Sequence, residues 1–262
     1  MSVLELVTQA VLYALIPAAV LLVVGFIATM RRPSAQWTSY FQHFAAGVVL
    51  SALATDVIPD VMRRHEVVAT GVGFGVGMLV MLGIRQIAEK YGGGHGHAGE
   101  EDEAKEEGHD HAAEAEHPPE GARSNLALVL SVGVDLLVDG FLIGLGFAAG
   151  GHMGSLLTLA LTIEVAFLAL STAAKATRRQ VLTRMAAFGA FMIAGAAAGA
   201  GIGGSLPDTA MAGALSFGCA ALLYLVAEEL LVEAHEAEET PISGAMLGLG
   251  FLVIMLLDMV TS

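Results

Sequence analysis

Eight stretches of the chain are almost continuously apolar for 20 residues or more: about 7–29, 38–59, 67–89, 126–148, 154–174, 185–205, 209–233 and 242–261. A helix rising 1.5 Å per residue needs about 20 such residues to cross a hydrocarbon layer roughly 30 Å thick. The pattern therefore predicts an all-α polytopic membrane protein, a bundle of eight transmembrane helices forming a single membrane domain. Residues 1–89 supply helices one to three, 90–124 are a polar connection, and 125–262 supply helices four to eight.

Composition supports this reading. Hydrophobic residues make up 55% of the chain and charged residues 15%, and the mean hydropathy is +0.71, too apolar for a soluble domain. The amino terminus, MSVLELVTQA, lacks the basic region of a secretory signal, so the first span is expected to be retained. A net charge of −14 with no basic stripe gives nothing to meet phosphates, and no nucleic-acid partner is expected. Cys219 is the only cysteine, which excludes an intramolecular disulfide and a thiolate metal cluster. There is no HExxH or GxSxG motif, and Cys219 has no histidine in its span to activate it, so neither an enzyme nor a prosthetic group is expected.

The twelve Lys and Arg residues orient the chain. Arg31 and Arg32 follow the first span; Arg85, Lys90, Lys105 and Arg123 flank or occupy the third connection; Lys175, Arg178, Arg179 and Arg184 occupy the fifth. Only Arg63 and Arg64 fall on the other side. The positive-inside rule then puts the odd-numbered connections in the cytoplasm and both termini outside, in the plasma membrane.

The charges inside the apolar spans carry the chemistry. The fourth span reads LVLSVGVDLLVDGFLIGLG, with Asp135 and Asp139 near its middle. A carboxylate at mid-membrane costs about 2.5–3.5 kcal/mol on insertion scales, so such groups face a bundle interior or an ion path. Two residues four apart share a helical face, about 5–6 Å between Cβ atoms, and like charges that close repel unless a proton or a cation sits between them. Glu164 is at mid-depth in the fifth span with no basic partner in its own span, and is expected to turn toward the aspartate pair. In the second span, Asp56 precedes Pro59 near the helix end and is expected on the outer approach, whereas Asp60 should be solvated at the interface. His43 lies thirteen positions from Asp56 on a different face, so the two need not share a site. Near the inner end of the seventh span, Glu228 or Glu229 is expected to face the bundle at the mouth of the path, and the run beyond, with Glu233 and His235, reads as a solvated acidic face. Glycines four apart in the third, fourth and sixth spans read as close helix packing.

The connection 90–124 combines glycine, alanine and acids with the pairs His95/His97 and His109/His111, and cannot bury a core. It is expected to be disordered and to gather a divalent metal loosely through imidazole nitrogen.

These features together resemble the ZIP (Zrt/Irt-like) family of divalent metal transporters over essentially the whole chain. FAAGVVLSALATDVIPD from Phe44 to Asp60 is similar to that family's second span, LLYLVAEELLVEAHE from Leu222 to Glu236 to its seventh, and SGAMLGLGFLVIMLLD from Ser243 to Asp258 to its eighth. The centre departs from the family pattern. Where the family's fourth span carries His-Asn-x-Pro-Glu-Gly, this chain has Asp135, Leu136, Leu137, Val138, Asp139 and Gly140, and Glu164 stands where the fifth span would carry a histidine. The sixth-span acid of many members has no counterpart in the Ala/Gly run. The resemblance implies uptake of a divalent cation such as zinc, manganese or iron. Ligation by Asp135, Asp139 and Glu164 through oxygen alone favours harder ions, although affinity order still helps zinc. The expected partners are the lipid bilayer and a divalent cation as substrate, with a homodimer left open. The alternative is a degenerate, non-transporting relative that answers metal through its His-rich connection.

Overall fold

The computed structural model describes residues 2–30, 34–92, 120–172, 177–235 and 240–261. His95, His97, His109 and His111, with most of the acidic connection, lie outside the described residues. Among the described residues there is no strand, and eight helices are long and apolar enough to cross a membrane. They are α1 (Val3–Met30), α2 (Ala35–Arg64), α3 (Val67–Gly92), α4 (Glu120–Ala149), α5 (Gly151–Thr172), α6 (Arg178–Gly203), α7 (208–234) and α8 (Pro241–Thr261). The fold is that of an all-α integral membrane protein.

Several helices run beyond the apolar spans, and two show why. α6 begins at Arg178, about two turns before the expected 185, because a charged residue can stay helical at an interface if its head group finds a partner. The Arg178 guanidinium lies over the Phe26 ring of α1, 4.4 Å from its centroid. α2 runs through Pro59 to Arg64 and ends at His65 in the left-handed region (φ 54°). Asp60, expected to be solvated, is instead partly buried and accepts a hydrogen bond from Arg64 Nε at 2.8 Å, while the same guanidinium holds Asp208 of α7.

The helices sort into two groups by how extensively they pack. α6 lies against α4 and α1, and α5 against α1 and α4, whereas α2 packs most closely on α8 and α3 on α7. Most of the largest fully buried side chains, including Phe188, Met185 and Met192 of α6 and Leu142, Ile143 and Leu145 of α4, fill the first group. Glycine sets the spacing along the seams. A Cβ at Gly140 or Gly144 of α4 would run into the α6 backbone at Met192, Ala196 and Gly199, and one at Gly195 or Gly199 of α6 would meet the α4 backbone. In α3 only one pair of the alternating glycines is used this way: Gly73 and Gly77 abut α7, while nothing lies within 4 Å of Gly71 or Gly75. The groups meet where α2 crosses α5 and where α4 approaches α3 and α7. All the intramembrane carboxylates named above lie on helices of that boundary.

Candidate cation site

At the boundary four carboxylates lie near enough to act on one another electrostatically. Asp135 and Asp139 come from one face of α4, Glu164 from α5 and Glu229 from α7. Asp139 and Glu164 are 2% and 5% exposed, and Asp139 Oδ2 and Glu164 Oε2 have no hydrogen-bond partner among the described residues. The charges that bear most on Asp139 are Glu164 and Glu229, and those on Glu164 are Asp135 and Glu229; all are acidic. Asp135 and Glu229 lie within hydrogen-bonding reach of each other. Unsatisfied buried carboxylate oxygens are costly, and acids whose main charged neighbours are acids suit a hard cation that takes carboxylate oxygen ligands. Among the described residues these four do not bring three ligand atoms within 4.8 Å of one another, so the group would have to close on an ion.

The cluster is closed on one side and accessible on the other. Asp135, one turn (about 6 Å) before Asp139 on α4, is partly accessible, and Glu229, near the end of α7, is exposed. Both lie toward the side where α4 begins and α7 ends. Sequence reasoning offered Glu228 and Glu229 as equals at the inner mouth. Glu229 joins the central cluster, whereas Glu228 forms an ion pair with Arg85 of α3, whose Nη1 also reaches the Tyr224 hydroxyl at 3.5 Å.

A second group sits at the opposite end of the bundle. Asp56 of α2, His152 at the start of α5 and Asp258 of α8 border an open cleft of about 740 Å³, with Thr55, Pro59 and Met153 also in its lining. His152 Nδ1 is 3.5 Å from Asp56 Oδ1, and its Nε2 is 3.7 Å from Asp258 Oδ1. One ligand atom from each of the three residues lies within 4.8 Å of the others, close enough to share one metal ion. His152 Nε2 also lies 3.0 Å from Thr261 Oγ1. His152 escaped the sequence reading because hydropathy started the fifth span two residues after it, and Asp258 entered only as the last residue of the stretch similar to the eighth span.

Local backbone irregularity accompanies both groups. In α2 the Ile58 N–H bonds back five residues to Leu53 O, a π turn over Leu53–Val57 that holds Thr55 and Asp56. Pro59, which has no N–H to give, supplies the cause. In α7 the Leu231 N–H bonds to Val226 O across a second π turn, Val226–Leu230, that holds Glu228 and Glu229; no proline accounts for it. Single π turns inside α-helices recur at functional sites, because the extra residue re-aims the side chains of that turn. From Asp56 inward along α2, Thr55 Oγ1 and Ser51 Oγ share a helical face, and both lack partners among the described residues, as does Asp56 Oδ2. Oxygen atoms in want of partners therefore extend from the cleft into the bundle.

No protein-family model matches the chain, and no curated protein matches it significantly.

Proposed function

We propose that the protein carries a divalent metal cation across the plasma membrane in the manner of the ZIP family, taking it inward to the cytoplasm with both termini outside. The observation that carries the reading is the pair of buried, unbonded carboxylate oxygens of Asp139 and Glu164, with acids as their main charged neighbours. Nothing in helix packing alone requires such an arrangement, since amide or hydroxyl groups would join helices at lower cost. A passing dication replaces mutual repulsion with shared attraction. The cleft at Asp56, His152 and Asp258 is the entry station, and the exposed flank at Asp135 and Glu229 is the exit. Both stations lie between the two helix groups, so rocking one group against the other would open each in turn.

The entry station predicts a kinetic split. Asp56→Asn removes a charge that concentrates the cation at the mouth without touching the central cluster. In proteoliposome flux measured against cation concentration, KM is expected to rise several-fold while kcat stays within a factor of about two. A fall in kcat with unchanged KM would place Asp56 elsewhere in the cycle.

A purely metal-responsive role for the His-rich connection is tested by deleting residues 92–120. The transport reading expects basal flux to persist at a comparable rate. No flux from the native chain, together with a metal response that the deletion abolishes, would favour the alternative in which metal is sensed through that connection.

A further inference from the structure

We infer that Arg63 is a tethered positive charge at the entry cleft that sets how weakly a divalent cation rests on Asp56, His152 and Asp258. The inference deepens the reading of that cleft as the entry station and rests on it. An arginine at the mouth of a cation path calls for a reason, because its guanidinium stays charged and repels the cargo.

The cleft itself supplies the observation. Arg63 lines it together with Asp56, Asp60, His152 and Asp258. Its Nε donates to Pro59 O at 3.3 Å, one turn back along α2, which draws the head group toward the Asp56 end of the cleft. Arg63, with Asp258 and His152, is among the charged groups that act on Asp56.

The adjacent residue shows what a structural arginine does at this end of α2. Arg64 is mostly buried and takes Asp60 through Nε and Asp208 through Nη1, both at 2.8 Å, tying α2 to α7. Consecutive helical positions point about 100° apart, so Arg63 turns away from those acids. Among the described residues Arg63 forms no ion pair, and its one hydrogen bond is that to Pro59 O. The side chain is exposed and ties no helices together. Its charge is left over for the cleft.

A station on a path must bind well enough to collect an ion and weakly enough to pass it on. Two carboxylates and an imidazole attract a dication strongly, and a fixed positive charge beside them offsets part of that attraction without taking a ligand position. One to two helical turns away, about 8 Å, a unit charge in water-like surroundings changes a dication's binding constant about fourfold in 0.01 M salt. In 1 M salt, where the Debye length is about 3 Å, the effect all but vanishes. The energy is linear in charge, so reversing the charge at this position squares the factor that removing it gives. Loss of Arg63 therefore tightens binding, whereas damage to the fold would loosen it.

The test is Mn²⁺ binding to the purified full-length protein, read from the EPR signal of the free ion, with Asp56→Asn identifying the ion held in the cleft. In dilute salt, Arg63→Gln is expected to tighten the Asp56-dependent ion about fourfold and Arg63→Glu about 16-fold. Arg63→Lys, which keeps the charge, is expected to stay closest to native. In about 1 M salt all three variants are expected to converge on the native affinity. Affinity that falls or stays the same in both Arg63→Gln and Arg63→Glu, or a gain that survives the high salt, would overturn the proposal. An Asp56-dependent ion indifferent to the charge at Arg63 would remove the brake alone and leave the station standing. Absence of any Asp56-dependent ion would remove the station, and the brake with it.

Discussion

Asp139→Asn is expected to abolish the proposed cation flux in proteoliposomes, to below about a tenth of the native rate, while leaving the protein folded. The substitution preserves shape and removes one charge from the centre of the cluster. Asp139 is almost fully buried, with one oxygen unbonded and Glu164 and Glu229 as its main charged neighbours, so its loss has a second signature. Without cation the variant should be more stable than the native protein, because one partner in a set of repelling buried acids is gone. For a chain of this size, each kcal/mol relieved raises the melting temperature by about 2–4 °C. Adding cation should reverse the order. A ligand present at a hundred times its Kd stabilises the native state by about 2.7 kcal/mol, and the variant should lose most of that gain. Unchanged flux, or an equal cation-induced shift in both proteins, would remove Asp139 from the site.

Gly140→Ala has a comparably large effect through packing. The added Cβ would fall 2.8 Å from the Met192 carbonyl carbon and 3.0 Å from Ala196 N. Both atoms are backbone and cannot rotate aside, so α4 must move off α6. Overpacking of this kind typically costs 1–3 kcal/mol, and here it also displaces the neighbouring Asp139. Thermal unfolding in detergent is expected several degrees below native, with flux reduced. Gly75→Ala on α3 is the control, since nothing lies within 4 Å of the position and the change should be close to neutral. Equal effects at the two positions would refute the close-approach explanation.

The sequence made some of this legible for physical reasons that can be named. Spans of 20 or more apolar residues have no soluble alternative, so all eight helices could be read from hydropathy. Their ends could not, because Arg178, Arg179 and Arg184 count against a span even where a helix carries them to the interface. The four-residue spacing of Asp135 and Asp139 fixes their shared face wherever α4 packs, which made that pair the most readable part of the site. Glu164 required only that α5 turn inward.

What remained hidden depended on tertiary geometry. Glu229, not Glu228, reaches the cluster because a π turn re-aims the end of α7, and no proline in that turn announces it. His152 looked like a loop residue beside an apolar run, and only the approach of α2 and α8 makes it a neighbour of Asp56 and Asp258.

A divalent cation is proposed to rest among Asp135, Asp139, Glu164 and Glu229. Anomalous diffraction from crystals grown with Mn²⁺ tests it most directly. A peak is expected within about 2.0–2.6 Å of oxygen atoms of Asp139 and Glu164, absent in Asp139→Asn. Density confined to the Asp56 cleft, with none at the centre in the native protein, would contradict it.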